Sequence, residues 1–152
     1  MKELGFDDSV AVLIITASKA IDKTGTLDIT NQLGLTGSQL RVIVALSIKE
    51  GVTQKEIADK IFLETPTLVP VIDKMEKNGL LERRPDPIDR RNNKIFLTKK
   101  SKALIAPVID FILKFRKIIT KNVSAKDLET TKEVLRKITK NANSHYEEIT
   151  KN

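Results

Sequence analysis

Apolar residues recur at helical spacing near the start of the chain. Val10, Leu13, Ile14, Ala17 and Ile21 mark one face of a helix from about Asp8 or Ser9 to Asp22. Ala11, Val12 and Ile15 make other faces apolar as well, so this helix needs cover on more than one side, most simply from a second subunit. An irregular connector from Gly25 to Leu35 follows, with buried anchors expected at Leu27, Ile29, Leu33 and Leu35. Thr36 and Gln39 then have capping-box spacing: the hydroxyl accepts from the third backbone N–H while the glutamine side chain reaches back. The helix they open carries Leu40, Ile43, Val44 and Ile48 and is predicted to stop at Gly51. Thr53 and Glu56 repeat the box and open a short helix predicted to bury Ile57, Ala58, Ile61 and Phe62. A tight link from Leu63 to Pro66 leads into another helix, with Leu68, Val71, Ile72 and Met75 at i, i+3, i+4 and i+7, ended by Gly79.

The pattern then changes period. Leu80 to Arg84 and Lys94 to Thr98 read as two strands, with residues 85–93 as the loop between them. Two short helices joined by a tight link, followed by a hairpin, make a winged helix-turn-helix whose groove-reaching parts are the second helix and the hairpin loop. Thr98 is the expected N-cap of a long helix through about Asn122, which Pro107 should kink or split. Ser124, with Asp127 three residues on, opens the last helix. There Leu128, Thr131, Leu135, Ile138, Ala142, His145 and Ile149 step alternately by three and four, as in a heptad seam. A helix of roughly 38 Å exposes such a seam unless a partner covers it. The fold class is therefore mainly α with a small β-hairpin. Three parts are expected: an N-terminal dimerisation helix and connector over 1–34, a winged helix-turn-helix over 35–100, and C-terminal dimerisation helices over 101–152. The candidate dimer contacts are Val10, Leu13, Ile14, Ala17, Leu128, Leu135, Ile138, Ala142, His145 and Ile149.

Composition narrows the function. The chain has 152 residues, 40% of them hydrophobic and 31% charged, which suits one folded domain rather than a disordered chain. It has no cysteine and one histidine, which removes thiolate chemistry, disulfides and histidine-rich metal sites. No glycine-rich phosphate loop or seryl elbow is visible, and neighbouring acids such as Glu147 and Glu148 face different ways on a helix. Catalysis and cofactors are thus not expected. The longest apolar run, Val10 to Ile15, is too short for a membrane span, which points to a soluble, cytoplasmic protein. The net charge is +7, and the stretch from Glu82 to Lys102 sets eight basic residues against three acids. Pro85, Pro87, Asn92 and Asn93 make its centre a projecting loop, and a basic loop tip is suited to phosphate-rich grooves.

The succession Leu35-Thr36-x-x-Gln39, Thr53-Gln-Lys-Glu-Ile-Ala58, Val71-Ile-Asp-Lys-Met-Glu76, Asn78-Gly79-Leu80, Arg83, Asp89-Arg90-Arg91 and Leu97-Thr98 resembles the MarR family of winged-helix transcriptional regulators. The resemblance implies a homodimer bound to double-stranded DNA at a palindromic operator, commonly as a repressor relieved by a small aromatic or anionic effector. It also implies that Arg91 enters the minor groove, steadied by Asp89; Arg84, Arg90, Asn92, Asn93 and Lys94, beside them in the basic loop and strands, are candidate phosphate or groove neighbours. Arg83 corresponds to a family arginine that ties strand to wing, with DNA contact as the alternative role. Ser38, Gln39, Thr53, Gln54 and Lys55 sit at helix starts, where free N–H groups suit backbone phosphates.

The recognition helix departs from the family. Val69-Pro70 stands where a Thr-Arg pair commonly faces the bases, leaving Thr65, Thr67 and Lys74 as polar candidates beside Leu68. With Thr67 as N-cap, Pro70 would be the third helical residue, so a late start or a bend is predicted. Base readout should be poorer than usual, which makes a protein-interaction or nonspecific DNA-binding module the competing reading. Ser101, where a glycine is common, should matter little, and Phe111 and Phe115 are candidates for lining an effector cleft.

Overall fold

The structure, a computed structural model, describes residues 8–89 and 91–151, so Arg90 lies outside the described residues. The order of elements is α1 (Val10–Leu33), α2 (Gly37–Ile48), α3 (Gln54–Ile61), α4 (Thr65–Lys77), β1 (Leu81–Pro85), β2 (Asn93–Leu97), α5 (Lys99–Lys102), α6 (Ile105–Ile119) and α7 (Ala125–Thr150). It is mostly helical with one antiparallel hairpin, paired from Leu81 opposite Leu97 to Pro85 opposite Asn93.

The largest departure from expectation is α1. It does not give way to a connector at Asp22 but continues to Leu33. Gly25 interrupts the sequence pattern, yet its missing side chain admits the Phe115 ring, whose carbons lie 3.2 Å from where a Cβ would sit. The true stop is Gly34, left-handed at φ 66°, with its N–H donated to the Thr30 carbonyl. Of the predicted anchors, Ile29 and Leu35 are buried, Leu33 is half-buried, and Leu27 faces solvent.

Both capping boxes form. Thr36 Oγ1 accepts from the Gln39 N–H and Gln39 Oε1 accepts from the Thr36 N–H, at 3.2 and 2.9 Å. α2 ends at Ile48 rather than running to Gly51, because the chain turns extended at Lys49 to reach the hairpin. There Gly51 donates to the Ile95 carbonyl and Ile95 donates back to Val52, at 3.0 and 2.8 Å. The carboxylate of Glu50 accepts from the Leu97 N–H at 2.8 Å and pairs with Lys102 at 3.0 Å. Partial burial pushes this carboxyl up, but those partners more than offset it and hold it below the usual range.

Thr98 caps α5, not one long helix. The break falls at Ala103 and Leu104, so Pro107 sits in the first turn of α6, where its missing N–H has no partner to lose. Ser101 was expected to matter little, but it is fully buried and its hydroxyl donates to the Leu80 carbonyl, tying α5 to the hairpin. Val42, Ile43, Leu46, Ile57, Leu68, Ile72, Met75 and Ile95 form the centre of the core.

The chain divides into two compact units, up to Phe115 and from Arg116 onward. In the second unit Ser124 caps α7 through the Asp127 N–H at 3.1 Å, and α7 has no buried residue. Among the described residues, no helix is long and apolar enough to cross a membrane.

Candidate nucleic-acid interface

The interface begins with the start of α3. Thr53 Oγ1 accepts from the Glu56 N–H, and the Glu56 carboxylate accepts from the Thr53 N–H at 2.7 Å. Those bonds from Thr53 are the main reason the Glu56 carboxyl lies below its ordinary range. The turn into α4 passes through Phe62, left-handed at φ 57° and 93% exposed. Burial was expected for Phe62; the turn instead rotates its ring out of the core.

α4 does not start late. It begins at Thr65 with Glu64 as N-cap, and the Thr67 and Leu68 N–H groups both donate to the Glu64 carbonyl. Pro66 occupies the first turn at no cost, whereas Pro70 lies inside the helix and leaves the Pro66 carbonyl without its i+4 donor. Both prolines are exposed, so that carbonyl faces the solvent side. Thr67 and Lys74 are also exposed, and Thr65 and Val69 are half-buried. Leu68 is fully buried against the core and cannot reach a base, since helical geometry turns it opposite the prolines.

Arg83 joins three elements. Its guanidinium donates to Asp73 and Glu76 on α4 and to Gln54 Oε1 at 3.1–3.2 Å at the start of α3. The Arg83 N–H also donates to Glu76, at 3.2 Å. Partial burial works against the charge, but Asp73 and Glu76 more than compensate and raise the guanidinium above its usual value. The expected tie was from strand to wing; the guanidinium instead ties β1 to α3 and α4, and it engages Gln54 in doing so. Gln39 is likewise buried in its own cap, while Ser38 is half-buried and Lys55 exposed.

The wing loop is organised by two aspartates. Asp86 is buried and accepts from the Ile88 N–H at 2.9 Å and from Lys94 at 3.3 Å. The Ile88 N–H is the chief cause, with Lys94 assisting, of its carboxyl lying below the usual range. Asp89 accepts from the Arg91 N–H at 3.1 Å, from Arg91 Nε at 3.2 Å and from Asn92 Nδ2 at 3.0 Å. The Arg91 side chain is nevertheless 91% exposed, so it is oriented at its root and open at its tip. Asn92 and Asn93 are exposed, and Lys94 is half-buried between Asp86 and Glu56. Arg84 pairs with Glu82 and lies 4.2 Å over the Phe96 ring. Asp73, Glu76 and Asp86 were not singled out for these roles. Only Asp86 carried a local signal, an Asx residue before proline, which favours a turn.

A second basic stretch lies between Lys114 and Lys140, with nine basic residues and three acids. The candidate dimer residues are uncovered within the chain. Val10, Leu13, Leu135, His145 and Ile149 are exposed, as are Ala17 and Ala142, while Ile14, Leu128 and Ile138 are half-buried. An apolar cavity of about 250 Å³ opens between α2, the end of α3 and Ile112, with Arg41 and Lys60 among its lining. Arg41 Nη1 pairs with Asp22 at 3.0 Å, while Nε is buried without a partner among the described residues. Phe111 and Phe115 do not line this cavity; they stack with ring centres 5.7 Å apart, Phe111 in the core and Phe115 beneath Gly25.

A helix-turn-helix braced by a hairpin with a cationic tip defines a winged-helix protein. The family model that matches residues 35–92 is that of the MarR family. The HTH-type transcriptional regulator SarZ of Staphylococcus saprophyticus is 30% identical over 107 residues, covering 70% of this chain and 73% of SarZ. TtmR, an HTH-type transcriptional regulator of Methylorubrum extorquens, is 39% identical over 70 residues, which span 46% of this chain and 36% of TtmR. The fold is similar to that of the transcriptional repressor CouR bound to a 23-mer DNA duplex, with a TM-score of 0.79, 23% identity, and 89% of this chain and 95% of CouR covered. The chain belongs to the MarR family, whose members are transcriptional regulators rather than enzymes.

Proposed function

We propose that this regulator binds double-stranded DNA as a homodimer, on a palindromic operator, and represses transcription until a small effector binds. Each copy places α4 in a major groove and the wing tip in the adjoining minor groove. The observation that carries this reading is Arg91, held at its backbone and Nε by Asp89 yet almost wholly exposed. A narrow minor groove concentrates negative potential, and a guanidinium fixed at its root fits there with little entropy left to lose. Dimerisation is supported by the uncovered apolar residues of α1 and α7, and two-fold symmetry sets half-sites about 34–36 Å apart. The effector is a small aromatic or anionic molecule held beside α2, where the cavity is apolar with Arg41 and Lys60 in its lining.

Duplexes enriched on the full-length protein from a random-core pool provide the test. Arg91→Ala should weaken binding and flatten the log–log salt dependence by about 0.9 if it neutralises one phosphate. Unchanged affinity and slope would remove the wing from the mechanism. Equal affinity for enriched and scrambled duplexes at physiological salt would instead favour a nonspecific DNA-binding module, the reading that the donor-poor surface of α4 supports.

A further inference from the structure

We infer that α4 selects its DNA through the 5-methyl groups of thymines rather than through hydrogen bonds to base edges; this rests on the reading that places α4 in the major groove. The core face of α4 is set by Leu68, Ile72 and Met75. At 100° per residue, Pro66 and Pro70 lie on the opposite, outermost stripe, one turn apart, with Val69 beside them. Neither ring has an N–H to give, and a valine side chain neither donates nor accepts. Asp73, next on that stripe, is committed to Arg83. Thr67 and Lys74 remain, together on one flank, and Lys77 lies on the outer stripe two turns beyond Pro70, at the end of the helix.

Purines are told apart in the major groove by bidentate donors and acceptors, such as Arg on guanine or Asn and Gln on adenine. Lysine also reads guanine, but Lys74 and Lys77 lie in the last turn of α4, and the exposed residues of its first turns, Pro66, Thr67 and Pro70, include none of these side chains. Thymine alone presents a methyl group there, which is the feature an apolar surface recognises. The wing tends toward the same composition, because A·T tracts narrow the minor groove that attracts arginine. Each half-site is therefore rich in A·T pairs, with thymines under Pro66, Val69 and Pro70.

Replacing thymine by deoxyuridine removes the methyl and keeps the base pair. The experiment takes the duplex enriched from the random-core pool and measures its affinity for the full-length protein with deoxyuridine at single half-site positions. Each contacted methyl removed should weaken binding about three- to four-fold, while the same substitutions in the flanks leave it unchanged. In Val69→Ser the thymine-to-uracil ratio should fall toward one. Equal binding of the thymine and deoxyuridine half-sites, with Arg91→Ala still impaired, would overturn methyl readout and leave the DNA-binding reading standing. A pool that yields no preferred duplex would overturn both.

Discussion

The winged helix and the last helix are built by the same local rules and end in different physical states. Thr36 and Thr53 cap α2 and α3 as Ser124 caps α7, each through the N–H three residues on. Both regions carry apolar residues at helical spacing. Yet sixteen of the nineteen buried apolar residues lie between Leu35 and Leu97, and none lies in α7. Capping and periodicity determine that a helix forms and which face is apolar. They do not supply the surface that covers that face. The winged helix finds its cover within the chain, whereas α7 presents Leu135 and Ile149 to solvent, as the first turns of α1 present Val10 and Leu13.

Breaking that contrast begins with the core. Ile72→Ala should cost about 2–5 kcal/mol, read as a lower denaturant midpoint at unchanged slope. Introducing Leu135→Lys together with Ile138→Lys should leave the winged helix folded and convert the sedimenting species from dimer to monomer. A dimer that survives both changes would place the interface elsewhere. Pro70→Ala should stabilise α4 by up to about 3 kcal/mol by restoring the donor to the Pro66 carbonyl, visible as a higher melting temperature. Thr53→Ala should lower global stability by about 1 kcal/mol. Ser124→Ala should instead fray α7, lowering far-UV helicity while the unfolding midpoint of the winged helix stays in place.

The smallest effect is the pH dependence. Glu50, Glu56 and Asp86 titrate below their ordinary ranges in the folded chain, so the unfolded chain takes up protons first as the pH falls. Their contribution is therefore complete near neutrality and lost as pH falls below about 4.5 and on through the folded values. The Glu50→Gln variant should show a shallower decline in denaturant midpoint between neutral and acidic pH.

Much of this was legible because its causes are local. Caps act across three residues, and the hairpin lay within one residue of its predicted bounds because the change of period is abrupt. The candidate site was less legible where contacts are distant in sequence. Arg83 meets Gln54 across a separation of 29 residues, and no local pattern names that partner. Phe62 and Leu27 fit apolar spacing and still face solvent.

Residue order alone therefore determined the capped starts of α2, α3 and α7, the heptad seam of α7, the placement of a cationic wing tip and the donor-poor first turns of α4. Tertiary structure decided that α1 runs on past Gly25, where the Phe115 ring packs against the glycine. It decided that Ser101 is a buried tie and that Leu68 belongs to the core. Periodicity gives an orientation about one axis, while burial depends on which other element arrives at that face, and that is settled only when the whole chain has packed.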